Sequence, residues 1–127
     1  MKKIAPISGS NHKGHYTPGI ISRGMLYISG QLSIDQDTRK VPAGGIQEHA
    51  KLALANLDRV LHMAGATRND VVQCRVYVTD IEHWDSVNEV YAEFFGDHKP
   101  ARIVVPVDKL HFGCLVEIEA IAEVEET

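Results

Sequence analysis

Two cysteines, Cys74 and Cys114, are too few for a disulfide framework or a thiolate zinc site. No apolar run approaches the roughly 18 residues that a membrane helix needs. The segment Met1 to Pro6 carries two lysines but no apolar stretch of the kind a secretory signal requires. Positive charge is in the minority. Thirteen Lys and Arg stand against seventeen Asp and Glu, and the net charge of -4 leaves no basic face for phosphate backbones. Nucleic acid is therefore not expected as a partner, and neither is a membrane. The sequence has no G-x-S-x-G elbow, no P-loop, no dinucleotide fingerprint, no repeat and no low-complexity tract. What remains is 127 residues, 44% hydrophobic and 24% charged, the balance of one globular domain covering 1–127. A chain of this length buries enough surface to fold without staples. The expected setting is a reducing cytoplasm.

The hydrophobic pattern changes period several times. Residues 8 to 19 are polar and read as an irregular loop ending in Tyr16, Thr17, Pro18 and Gly19. Ile20 to Ser22 and Met25 to Ser29 flank Arg23 and Gly24, which predicts a hairpin whose turn uses glycine's conformational freedom. Residues 33 to 45 form a second connection. From Ile46 the apolar positions Ala50, Ala53, Leu57, Val60, Leu61 and Ala64 recur at helical spacing, and Gly65 stops them. Asn56 falls off that stripe, and His49 and His62 are expected on the helix surface. Val72, Cys74, Val76 and Val78 alternate with polar residues as a half-buried strand does. Trp84 to Phe95 gives a second helix with Val87, Val90, Tyr91, Phe94 and Phe95 inward. Two more alternations close the chain. Arg102, Val104 and Pro106 oppose Ile103, Val105 and Val107; Leu115, Glu117, Glu119 and Ile121 oppose Val116, Ile118, Ala120 and Ala122. The order ββαβαββ predicts an α+β domain with both helices on one sheet face. The other face, expected to carry Val104, Pro106, Leu115 and Ile121, is apolar enough to predict a homo-oligomer packed sheet to sheet.

Three residues offer chemistry. Arg102, placed by this alternation opposite the helices, has the planar fork that grips a carboxylate, a charge-assisted contact of roughly 1.5 to 3 kcal/mol. The same residue also fits an interface salt bridge to Glu117 or Glu119. Glu117 would share its face and could position or deprotonate a water, or could simply be solvated. Tyr16 could close a cleft or only pin its loop. Tyr91 and Cys74 read as core, Asn88 as a brace for a neighbouring loop, and Cys114 as exposed. His12 and His15 form an H-x-x-H and His111 precedes a glycine, but no third local ligand accompanies them, so no metal is expected.

Pro100-Ala101-Arg102, followed by Val116-Glu117-Ile118-Glu119-Ala120-Ile121-Ala122, resembles the RidA/YjgF/UK114 family. The likeness extends to Gly14-His15-Tyr16, to Ile28-Ser29-Gly30-Gln31-Leu32 and to the helix from Val87 to Phe95. It implies a chorismate-mutase-like fold and a homotrimer with clefts between subunits. It also implies cofactor-free hydrolytic deamination of 2-imino and enamine acids, such as 2-aminoacrylate or 2-iminobutanoate, to a 2-oxo acid and ammonia. Arg102 matches the residue that binds the substrate carboxylate, Glu117 the carboxylate that orients the attacking water, and Tyr16 the cleft tyrosine. Ser29, Gly30 and Asn88 match cleft-forming positions. Many members carry Arg-Ser-Cys where this chain has Arg102-Ile103-Val104. The thiol is absent, and only the Val104 backbone remains to meet a ligand or water. The Leu-Pro and Gly-Pro-Tyr of the family become Leu110-His111 and Gly14-His15-Tyr16, which directs histidines toward the cleft. A non-catalytic carboxylate-binding trimer, a deaminase of larger enamines and an endoribonuclease are the alternative activities.

Overall fold

The computed structural model describes residues 1–6 and 14–125. Part of the polar loop, with His12, lies outside them. The described strands are β1 (Lys2–Ile4), β2 (Gly19–Ser22), β3 (Met25–Leu32), β4 (Val71–Val78), β5 (Ala101–Pro106) and β6 (Val116–Glu123); the helices are α1 (Ile46–Met63) and α2 (Trp84–Phe95). The strands form one sheet in the order β1-β2-β3-β6-β4-β5. Only β4 and β5 run parallel, as a strand pair joined through a crossover helix must. Arg23 (φ 52°) and Gly24 (φ 77°) make the tight turn between β2 and β3. Gly65 (φ 77°) stops the chain after α1.

Both helices lie on one side of the sheet, and the core forms there. Leu54, Leu57 and Leu61 of α1 and Val87 and Phe95 of α2 close over Leu26, Val76, Val116 and Ile118. The α+β expectation therefore holds, with β1 as an addition. Three residues with a single buried side chain, Ile4, are too short to display an alternation.

Four expectations are corrected. His49 is 4% exposed, not on the helix surface, and Asn56 is buried as well. Asn56 Nδ2 donates to the carbonyls of Leu32 (3.0 Å) and Ile34 (2.8 Å), which ties the connection after β3 to α1. Cys114 is buried rather than exposed. The phase of β5 is also the reverse of the reading above. Cys74 pairs with Arg102 and Val76 with Val104, so Arg102 and Val104 face the helices while Ile103 and Val105 face away. As an edge strand with apolar residues in both phases, β5 has no polar side for the alternation to reveal.

Candidate active site

Arg102 starts near the head of β5 and reaches toward α2. Its Nη1 donates to Asn88 Oδ1 at 2.9 Å, and its guanidinium carbon stands 4.8 Å from the Tyr91 ring centroid and 5.4 Å from that of Trp84. The aromatic faces hold the cation flat and desolvate it on one side. Among the described residues, Arg102 meets no carboxylate, and the Asn88 bond uses one of its five N–H donors. A cavity of about 530 Å³ lies beside it, with Asn88, His98 and Lys99 among its walls. His98 Nε2 donates to the Val71 carbonyl at 2.7 Å. Behind the guanidinium, burial pushes the Cys74 thiol up to about 11 and the Tyr91 hydroxyl higher still. Cys74 is thus a thiol at neutral pH, without the thiolate a nucleophile needs.

Glu117 belongs to the opposite face. Along β6, Val116 and Ile118 turn into the core, so Glu117 points away from the helices beside Tyr77 and Leu32. Between Ile28 and Gln31, β3 takes one residue more than β6, and this bulge lays Ser29 and Gly30 against the Glu117 side of the sheet. A β carbon on Gly30 would collide with the Glu117 carboxylate, so the absence of a side chain there is what admits it. Ser29 Oγ donates to the Thr17 carbonyl (2.6 Å) and its N–H to the Pro18 carbonyl (2.9 Å), which fastens the loop carrying Tyr16. Tyr16, Ser29, Gly30, His111, Phe112 and Glu117 line a cavity of about 710 Å³. His111 stacks on Phe112, ring centroids 3.6 Å apart, in a turn where Phe112 has a φ of 62°.

The two acidic residues of β6 differ in their commitments. Glu119 Oε1 accepts from Arg75 Nη1 (3.1 Å) and Oε2 from the Tyr77 hydroxyl (2.6 Å). Glu117 has no hydrogen bond or ion pair to a described residue. Burial lifts its carboxyl above the ordinary range, the neighbouring Glu119 adds to the effect, and His111 opposes it. A half-buried carboxylate of raised proton affinity is suited to accept a proton from water.

Contrary to the shared face that the alternation predicts, Arg102 and Glu117 lie on opposite faces, and no salt bridge joins Arg102 to Glu117 or Glu119. Within one chain they border separate cavities on opposite sides of the sheet. Asn88 accompanies Arg102, while Tyr16, Ser29 and Gly30 accompany Glu117. Val104 packs half-buried against the core. His111 reaches the Glu117 cavity, and exposed His15 is not among its walls. Among the described residues no three His, Cys, Asp or Glu side chains group as metal ligands would. The hydrophobic alternation does not show the bulge; its signal in the sequence is a glycine inside a strand pattern.

The profile of the family described as Endoribonuclease L-PSP matches residues 8–124. The chain belongs to this family. It is 40% identical over 109 residues to a RutC family protein of Pyrococcus abyssi, covering 86% of each chain. Over 109 residues it is 37% identical to the human protein named 2-iminobutanoate/2-iminopropanoate deaminase, covering 86% of this chain and 80% of that one. Among solved structures it is similar to Escherichia coli TdcF with bound serine, with a TM-score of 0.90 and 31% identity over 98% of this chain and all of that one. The L-PSP membership agrees with the RidA/YjgF/UK114 resemblance and with the helix-on-sheet fold. No helix of the described chain is long and apolar enough to cross a membrane.

Proposed function

We propose that the chain hydrolyses reactive 2-imino acids and their enamine tautomers, of the 2-aminoacrylate and 2-iminobutanoate type, in clefts between copies of a homotrimer. The observation that carries this reading is the division of the site. Arg102 keeps unspent donors beside one cavity, Glu117 keeps an unpaired carboxylate beside another, and each half lacks what the other has. A neighbouring copy that sets its Arg102 cavity against the Glu117 cavity completes the constellation. Apolar Ile103, Val105 and Ile121 on the sheet face away from the helices favour such packing. The human relative's name supports the substrate class.

In this reading Arg102 of one copy clamps the substrate carboxylate and fixes the C=N carbon in place. Glu117 of the next copy accepts a proton from a water as the water oxygen bonds to that carbon. The nitrogen takes a proton, the resulting carbinolamine breaks its C–N bond, and the products are a 2-oxo acid and ammonia. Tyr16 closes the cleft, Asn88 aims the guanidinium, Ser29 and Gly30 shape the wall under Glu117, and the Val104 backbone borders the ligand. Imines hydrolyse readily in water, so the site supplies positioning and one proton acceptor, with no cofactor or metal required. Nuclease action is disfavoured, because the excess of acidic over basic residues supplies no basic face for a phosphate backbone.

The test is ammonia release in an assay coupled to threonine dehydratase. Arg102→Ala abolishes the acceleration while the assembly keeps its size on a sizing column. Full activity in that variant discards the clamp. A non-catalytic carboxylate binder would bind 2-oxobutanoate by calorimetry and show no acceleration in the unaltered chain.

A further inference from the structure

Arg39 takes a backbone conformation that its residue type resists. Its φ is 63°, in the left-handed region that favours glycine. The turn around it is closed tightly. Asp35 N donates to the Lys40 carbonyl (2.9 Å), Arg39 N to the Asp35 carbonyl (2.8 Å), and Asp35 Oδ1 accepts from the N–H groups of Asp37 and Thr38 (both 2.9 Å). Asn56, by holding the carbonyls of Leu32 and Ile34, anchors this turn to α1. The guanidinium so presented makes no hydrogen bond or ion pair to a described residue. Residues 7–13 contain no Asp or Glu that could neutralise it.

Arg39 borders two adjoining cavities. One is the cavity of about 710 Å³ that contains Glu117. The other, of about 60 Å³, has Arg59 in its wall and shares Tyr16, Gly30 and Leu32 with the first. Arg59 has no ion pair among the described residues either. The Arg39 guanidinium, unpaired beside a partly closed space, attracts an anion, and Arg59, whose charge also acts on the Asp35 carboxylate, adds to the positive field.

We propose that Arg39 is a specificity residue that receives the distal carboxylate of a dicarboxylic 2-imino acid, the kind of imine that oxidation of an acidic amino acid produces. This rests on the deaminase reading: the first carboxylate meets the neighbouring copy's clamp, the C=N carbon faces Glu117, and the far end of the molecule reaches Arg39. A strained arginine at a position suited to glycine is then explained by the charge it delivers.

The experiment compares hydrolysis of the imines of aspartate and glutamate, generated in place by an amino-acid oxidase, with that of 2-iminobutanoate. The chains compared are the unaltered protein, R39G and R39K. Arg39→Gly suits the left-handed backbone, so the variant folds. The ratio of dicarboxylic to monocarboxylic rates falls about tenfold or more in R39G, the loss of one charge-assisted contact, and R39K retains much of it. An unchanged ratio overturns the proposal. Calorimetry with 2-oxoglutarate and 2-oxobutanoate reads the same site without catalysis. If no imine is accelerated but R39G selectively loses affinity for 2-oxoglutarate, the deaminase reading fails and the anion site stands. If neither ratio nor selective affinity changes, the Arg39 assignment fails. Inorganic phosphate is the third probe: an R39G-sensitive phosphate site that does not compete with 2-oxoglutarate identifies a free-anion site and overturns the substrate role.

Discussion

A β carbon on Gly30 would stand 2.5 Å from Oε2 of Glu117 and 3.0 Å from its Cδ. Contacts this short force one partner to move, and the end of a glutamate side chain moves more cheaply than a bulged strand. Gly30 has no positive φ, so alanine carries no backbone penalty there. Gly30→Ala should therefore displace the carboxylate and leave the fold standing. We expect a melting temperature within a few degrees of the unaltered chain and imine hydrolysis reduced at least tenfold, roughly the loss of one positioned catalytic group. A well-folded, fully active variant would show that the close approach of Glu117 to β3 has no bearing on turnover.

The placement of Arg102 and Glu117 on opposite faces leads to a complementation experiment. Arg102→Ala and Glu117→Gln are each inactive when assembled alone. Unfolded together and refolded as mixed oligomers, they regain some clefts in which both native residues meet. Partial recovery of ammonia release is the expected result. If the mixture stays as inactive as its components, while labelled subunits demonstrably mix, the site does not span two copies.

The raised proton affinity of Glu117 sets the sign of two pH effects. Its folded-state value lies above the ordinary 4.5, chiefly through burial. Between the two values the folded chain holds a proton that the unfolded chain has released, so stability falls as pH rises through that window. Glu117→Gln removes this slope, and denaturant midpoints across that range should flatten. The acid limb of the rate profile for the unaltered chain should sit above the ordinary carboxylate value, because the base must be ionised to accept a proton. A limb at or below it would assign the limb to another group.

His49 carries the opposite sign. Its Nδ1 accepts from Ser33 Oγ (2.6 Å) and Leu115 N (3.3 Å) inside the core. Burial first, then the charge of His83, hold it below the usual 6.5. The unfolded chain takes up a proton near that value while the folded chain resists, so stability is intact above it and declines as pH drops. His49→Phe strands two donors and should cost about 2 kcal/mol near neutrality. It should also weaken the acid dependence, as read from urea midpoints at about pH 8 and about pH 5.5. A steeper acid loss in the variant would point to another buried base.

Local order was readable where neighbours in sequence are also neighbours in space. The period from Trp84 to Phe95 delimited α2 residue for residue, Gly24 marked the β2–β3 turn, and Cys74, Val76 and Val78 marked β4 as a core strand, whereas an irregularity between Val71 and Gln73 buries Val71 and turns the expected Val72 outward. Arg102, Glu117 and Tyr16 were singled out by residue type and family resemblance. His49 and Asn56 show where this reading stops. Polar at helical spacing, they look like surface residues, yet each is buried because a distant segment supplies its partners: Ser33 and Leu115 for one, Leu32 and Ile34 for the other.

The chain's own pattern thus settled the helices, the hairpin, the two-faced sheet and the identity of the ionisable side chains, since backbone period and side-chain chemistry are local properties. Tertiary pairing alone decided that β5 turns Arg102 toward Tyr91 and Asn88, that an extra residue in β3 opens room for Glu117, and that these two charges stand on opposite sides of one sheet. Register between strands distant in sequence is set by packing against a shared core, and a one-residue difference in phase moves a side chain from one face to the other.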